Sequence, residues 1–370
     1  MYSDYFFELR KVVGEDKVPF HSTVSRYPLI LCLALAACGG GGGTATPDAV
    51  EVSVPTDGGS AQPPSRSSSD EGCQATLFHS PTIGEDYLDR VMDAYTFGCG
   101  YLGDVRTLEL WLTANNASAA ESLRDVWCQY RLSQDSSFLE QWCERSQIGV
   151  DLANYVRWSS VYYNGLVDAH HQNNLHEFSS NPDDPSAEYV TIHEFFHAYQ
   201  MDHLDEAIYS TPEDLDIQSG RTGDGSRPWH SEGSADLFGH LLTELSGRPG
   251  QLRGYFESGE DCWARIDDDF SLWDLTYEAD RWCGYHLGAW SIAYLISEHS
   301  IEAYLAFYDD LNAYGFFDGW LKNFGVTTDE FSENFRNWFL QTSRTDKLQI
   351  IDEIVSTAAQ SAKRSNSGPL

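Results

Sequence analysis

An α+β fold, with a small N-terminal sheet followed by a mainly helical C-terminal part, is what this 370-residue sequence predicts. Three observations carry the expectation. Residues 105–113, VRTLELWLT, alternate apolar and polar positions at period two, the pattern of a half-buried strand. Beyond Pro185 the apolar spacing becomes largely helical. With 41% hydrophobic and 14% aromatic residues and no internal repeat, the chain has apolar material for a full core. Strands first and helices later is the α+β order.

Taken in chain order, the one long apolar run is PLILCLALAA, Pro28–Ala37, ten residues against the roughly 20 that span a bilayer. Arg26 precedes it and small residues end it, so 1–37 reads as a signal peptide. Its end, LAAC (Leu35–Cys38), resembles the lipobox of bacterial lipoproteins. That resemblance implies cleavage before Cys38, acylation of its thiol and a lipid anchor to a membrane. Gly39, where an inner-membrane retention Asp would stand, directs the expectation to the outer membrane of a Gram-negative cell envelope. The stretch before Pro28 carries Asp4, Glu8, Glu15 and Asp16, unusual for the start of a signal peptide, which makes Val24 a candidate for the true start.

Residues 38–72 then form a tether: from 39 to 72, Gly, Pro, Ser and Thr account for 21 of 34 residues and there is no aromatic. Such a flexible coil spans on the order of 30 Å. Six cysteines follow: Cys73, Cys99, Cys128, Cys143, Cys262 and Cys283. An even number in an exported chain points to disulfides. Sequence proximity suggests Cys73–Cys99, Cys128–Cys143 and Cys262–Cys283; no C-x-x-C pair supports a cysteine zinc site.

One domain is expected over 73–345, with 346–370 as a C-terminal tail. After the strand at 105–113 come a helix at 118–132 and a strand at 154–163, NYVRWSSVYY. Helices are expected at 186–205, 231–246, 285–299, 301–312 and 328–341.

The chemistry sits in HEFFH, residues 193–197. Asp184 and Pro185 offer a helix N-cap and first-turn proline. Within a helix, His193 and His197 project from one face a turn apart and can reach one ion, with Glu194 beside the metal. Downstream, WHSEGSAD (Trp229–Asp236) resembles the third-ligand helix of the gluzincin metallopeptidases. The resemblance implies a zincin-like metallopeptidase domain, Zn2+ as cofactor, and Glu232 as the third ligand. It also implies that Asp236 hydrogen-bonds a ligand histidine, as the matching acid does in thermolysin-like members. GYHLGAWSIAYLI (Gly284–Ile296) resembles the Tyr-x-x-Gly helix start of the aminopeptidase branch. This implies Tyr285 as donor to the developing oxyanion, with His286 as fallback. FGVTTDEFSENFRNWF (Phe324–Phe339) is similar to the closing helix of such domains.

Two departures stand out. Thirty-four residues separate His197 from Glu232, and they carry Asp202, Asp205, Glu206, Glu213, Asp214 and Asp216. The segment reads as a solvated acidic loop near the cleft, since its spacing matches no EF-hand. The Gly-x-Met-Glu-Asn strand that anchors a substrate amine in aminopeptidases is missing, which directs the expectation to cleavage within peptide or protein chains.

The charge balance, 23 Lys+Arg against 57 Asp+Glu, gives −34 and excludes nucleic acid as a partner. His170, His171 and His176 in DAHHQNNLHEF read as surface polar residues at a strand end, and a second metal there is the alternative. Ser234 lacks a G-x-S-x-G elbow. The expected activity is therefore zinc-assisted amide hydrolysis with Glu194 as general base. The alternative is an inactive surface lipoprotein that uses a peptidase-like fold for binding or assembly; the complete His193, Glu194, His197 and Glu232 set favours the enzyme.

Replacing Cys38 with Ser should release the protein from membranes or leave it unprocessed. Membrane fractionation and intact mass measure this, and an unchanged fraction and mass would remove Cys38 as the anchor.

Overall fold

The computed structural model describes residues 73–105, 107–114, 117–134, 143, 160–164, 169–176, 185–204 and 228–365. The chain enters through β1 (Ala75–His79) and α1 (Glu85–Leu102), then β2 (Leu108–Ala114) and α2 (Ala117–Gln134). β3 (Ser160–Asn164) and β4 (Ala169–His176) complete a four-stranded sheet ordered β1-β2-β4-β3. β1, β2 and β4 run parallel, and β3 pairs antiparallel with β4. The early part thus interleaves helices with strands, and the regular helical run begins with α3 (Ser186–Asp202). α4 (Ser231–Leu245), α5 (Gln251–Ser258), α6 (Tyr277–His299), α7 (Ile301–Phe324), α8 (Thr328–Gln341) and α9 (Arg344–Ser365) follow. The α+β expectation holds in this form. Among the described residues no helix is long and apolar enough to cross a membrane.

β2 corrects one reading. It is buried at all seven positions, not half-buried, because it lies between two parallel neighbours and carries helices on both faces. Leu108, Leu110, Leu112 and Ala114 join the main core with α1 and α3. Trp111 faces the other way, into a smaller core with Phe78, Leu123 and Trp127 from β1 and α2. Phe78 and Trp111 stack at 3.9 Å. Glu109 is the polar member of the alternation, yet it too is buried: Arg131 of α2 pairs with its carboxylate and the Trp111 indole N–H donates to it at 3.3 Å. The polar run AHHQNNLH forms β4 itself, with His170 opposite Leu108 near its start and His176 opposite Ala114 as its last residue. Of the strand expected at 154–163, residues 160–163 lie in β3 and 154–159 fall outside the described residues.

Helix ends follow local chemistry. α8 opens with a capping box in which the Thr327 hydroxyl accepts from the Glu330 N–H and Glu330 accepts from the Thr327 N–H. α7 continues past residue 312 because Gly315, at φ 71°, lets the chain kink and resume helix. α6 begins eight residues before the expected 285, so Tyr285 lies within the helix and not at its start. The stretch from 346, expected as a tail, is mostly helix: α9 buries Leu348, Ile351, Ile354 and Ala358 in the main core. All three expected cysteine pairs are disulfide-bonded, Cys73–Cys99, Cys128–Cys143 and Cys262–Cys283. Cys38 lies outside the described residues.

The Glu109–Arg131 pair yields a stability prediction. Arg131→Met leaves a buried carboxylate without its cation and should cost about 3–5 kcal/mol, while adding Glu109→Leu should recover most of it. Denaturant titration checks both; a loss under about 1 kcal/mol for the single variant would mean that water reaches Glu109.

Candidate metal centre

α3 is buried on nearly every side: each residue from Thr191 to Gln200 is buried. A helix buried all round needs anchors that fix its rotation. Glu188, in the first turn where an acid suits the helix dipole, supplies one. Its carboxylate takes two bonds from Arg90 of α1, at 2.9 and 2.6 Å, and two from Arg248 after α4, at 3.2 and 2.9 Å. Burial opposes its ionisation, but these guanidinium bonds hold the carboxyl below its ordinary value. Gln172 of β4 supplies another anchor, donating to the Thr191 carbonyl at 2.9 Å. The N-cap is Pro185, without a side-chain cap, while Asp184 falls outside the described residues.

So fixed, α3 points two imidazoles at one carboxylate. His197 Nε2 lies 3.1 Å and His193 Nε2 3.5 Å from Glu232 Oε2. Glu232 is the second residue of α4, again in a first turn. The three side chains form the group that could hold a metal ion among the described residues, and His193, His197 and Glu232 are only 7, 3 and 2% exposed.

The donor set fits a tetrahedral ion. Donors about 2.0–2.1 Å from such an ion lie about 3.3 Å from each other, the spacing seen between both imidazoles and the carboxylate. Outer partners set the tautomers as well. His193 Nδ1 donates to Asp236 Oδ1 at 2.9 Å and His197 Nδ1 to Gln200 Oε1 at 2.8 Å. Both acceptors require a proton on Nδ1, so a neutral ring turns its Nε2 lone pair toward Glu232. Two lone pairs facing a buried carboxylate repel unless a cation sits among them.

The electrostatics agree. Glu194, Glu232 and Asp236 are three buried carboxylates in one site. Burial opposes the charged form of His193, yet hydrogen bonds to Asp236 and Glu232 raise its pKa well above the ordinary histidine value. Burial opposes ionisation of Glu232 too, and the charge of His197 with bonds to both rings holds it well below the carboxylate range. A proton on His193 would thus offset the carboxylates, a task a divalent ion does better. Glu194 makes no hydrogen bond among the described residues, and burial pushes its carboxyl up, partly offset by His193 and His197.

Asp236 is one turn after Glu232 and accepts from Tyr189 at 2.5 Å and Tyr255 at 2.6 Å as well as from His193. Tyr277 donates to Glu232 Oε1 at 2.5 Å, leaving Oε2 for the histidines. Tyr285 lies in the field of Glu232, and its ring is parallel to His193 with centroids 6.3 Å apart. Burial, with Glu232 adding to it, raises the Tyr285 pKa well above its ordinary value, so the phenol stays protonated.

Gln200, Tyr277, Tyr189 and Tyr255 were not singled out from the sequence. Gln200 and Tyr189 had a signal, since each lies one helical turn from a motif histidine; Tyr277 and Tyr255 come from other helices. His286 does not join the site: it is fully buried, both ring nitrogens lack a hydrogen-bond partner among the described residues, and burial lowers its pKa to about 4. Two further histidines near the motif helices, His230 and His203, are engaged elsewhere. His230 meets Tyr304 Oη at 3.2 Å, and His203 meets the Tyr199 carbonyl at 2.8 Å. The acidic segment 205–227 falls outside the described residues.

Gly233 and Gly288 bring the helices together. A Cβ on Gly233 would run into the Gly288 main chain, and one on Gly288 into the Trp229 carbonyl. α4 and α6 thus meet backbone to backbone beside Glu232. In sequence comparison no protein-family model and no curated protein matches this chain.

The centre should bind one equivalent of a divalent transition metal. Glu232→Ala should weaken that binding by more than the roughly 10–100-fold typical of losing an outer partner. Metal analysis after dialysis against a chelator checks this, and full occupancy in the variant would place the third ligand elsewhere.

Proposed function

We propose that this chain is a gluzincin-like zinc metallopeptidase with a zincin-like domain that hydrolyses peptide bonds within chains. The observation that carries the reading is the convergence of His193, His197 and Glu232 in a buried site with an unbonded Glu194 carboxylate beside them. Two imidazoles and one carboxylate suit zinc with a fourth position open. When bound, the ion supplies Lewis acidity, lowering the pKa of water to about 7 and polarising a carbonyl.

The rest of the chemistry falls to the chain. Asp236 and Gln200 hold the two imidazoles with Nε2 inward. Glu194 takes the proton of the attacking water and returns it to the departing amine; its raised pKa brings it nearer the range in which both transfers run. Tyr285, protonated and at the Glu232 carboxylate, is the donor for the developing oxyanion, a role typically worth about 3–4 kcal/mol. β3 packs against α3 and has one neighbour among the described strands, so an extended peptide can add to it by main-chain bonds. A net charge of −34 disfavours polyanionic substrates. The lipid anchor at Cys38 and the cell-envelope location belong to the same reading; they rest on LAAC and the tether that follows it.

Glu194→Gln keeps the shape but cannot accept a proton. It should cut peptide hydrolysis by at least about 10²-fold while zinc content stays at the wild-type level. Digestion of casein or a peptide library, with and without chelator and alongside metal analysis, checks this; near-wild-type turnover would exclude Glu194 as the base.

A further inference from the structure

We propose that Gln200 is the positioning residue of this centre, one amide that orients His197 and joins it to the main chain carrying Glu232. The proposal rests on reading His193, His197 and Glu232 as a metal centre and does not depend on hydrolysis.

Gln200 follows His197 by three residues on α3, so the two side chains share a face. It is 6% exposed. Its Oε1 accepts from His197 Nδ1 at 2.8 Å, and its Nε2 donates to the Ser231 carbonyl at 3.1 Å and to Tyr308 Oη at 3.2 Å. The amide orientation is determined by its partners. A carbonyl only accepts, so Nε2 must face Ser231 and Oε1 must face His197. An amide oxygen only accepts too, so His197 carries its proton on Nδ1 and presents the Nε2 lone pair.

The second arm of the amide matters as much. Ser231 immediately precedes Glu232, so a single planar group spans one ligand and the residue beside another, from different helices. Behind it, Tyr308 contacts Tyr304 at 3.1 Å, and Tyr304 contacts Ser234 at 2.5 Å, which ties α7 into the same buried chain of bonds. The two ligand histidines have unequal partners: a carboxylate for His193 and a neutral amide for His197. The neutral choice has a physical reason. Glu194, Glu232 and Asp236 already outnumber the two charges of a divalent ion, and a fourth buried carboxylate would have nothing to offset it.

The test compares full-length wild type with Gln200→Met, Gln200→Asn and Tyr308→Phe. Zn2+ affinity is read by chelator competition, the Co2+-substituted protein by visible absorption, and the metal-free protein by thermal melting. Met removes all three bonds at similar volume and should weaken Zn2+ binding about 10–100-fold, with a shifted Co2+ spectrum. Asn keeps the polarity but is one methylene short of spanning His197 and Ser231, and should lose about 10-fold; it serves if the Met variant does not fold. Tyr308→Phe leaves both arms intact and should stay close to wild type. Zn2+ affinity and Co2+ spectrum unchanged in Met and Asn, with only the melting temperature lowered, would make Gln200 a packing residue and overturn the proposal. A wild type that takes up no Zn2+ would overturn the centre itself. Hydrolysis is not read, so failure of the proposed peptidase activity stays separable from failure here.

Discussion

Two imidazole lone pairs, 3.1 and 3.5 Å from one buried carboxylate oxygen, cannot coexist with it comfortably unless positive charge lies between them. That constraint organises the middle of this protein. Three polar partners keep the three acceptors aimed inward: Asp236 and Gln200 hold the rings from behind, and Tyr277 occupies the carboxylate oxygen that the histidines do not face. The protein thereby holds a pre-aimed donor set whose mutual repulsion favours a cation.

Holding such a set requires a stiff frame. α3 is clamped at its start by Glu188 between Arg90 and Arg248, and along its length by the sheet through Gln172. Asp236 is braced by two tyrosines from different helices, so it cannot turn away from His193 without breaking both bonds. The disulfides lie elsewhere in this scheme. Cys73–Cys99, Cys128–Cys143 and Cys262–Cys283 each close a local loop of 26, 15 or 21 residues, and none links α3 to α4. The two ligand-bearing helices are therefore joined by packing and hydrogen bonds.

Much of the centre was legible in the sequence, because HEFFH is a local pattern: four-residue spacing on a helix puts both rings on one face whatever the rest of the fold does. Glu232 and Asp236 were reached only through the resemblance carried by WHSEGSAD, since spacing alone does not distinguish them from other acids of a helix. Tyr277 and Tyr255 were not legible, since only tertiary packing brings them to Glu232 and Asp236. The sheet was harder still. AHHQNNLH has no apolar alternation, yet it forms a parallel strand because β2 offers a complete ladder to pair with. The alternation in VRTLELWLT was real but concealed a second covered face, since Glu109 is neutralised by Arg131 and not by water. The C-terminal helix was legible and passed over: Leu348, Ile351, Ile354 and Ala358 recur every three or four residues, the spacing of one buried helix face.

The Gly233–Gly288 contact has an evolutionary consequence. Because two main chains touch there, no change of rotamer elsewhere can make room for a side chain at either position. Any descendant that gained even an alanine would have to push α4 from α6, carrying Glu232 away from the histidines and separating it from Tyr285. The two glycines should therefore be inherited as a pair, fifty-five positions apart, wherever the acidic ligand is kept. Relatives too distant to recognise by overall similarity could be sought by that pairing, placed in step with HEFFH.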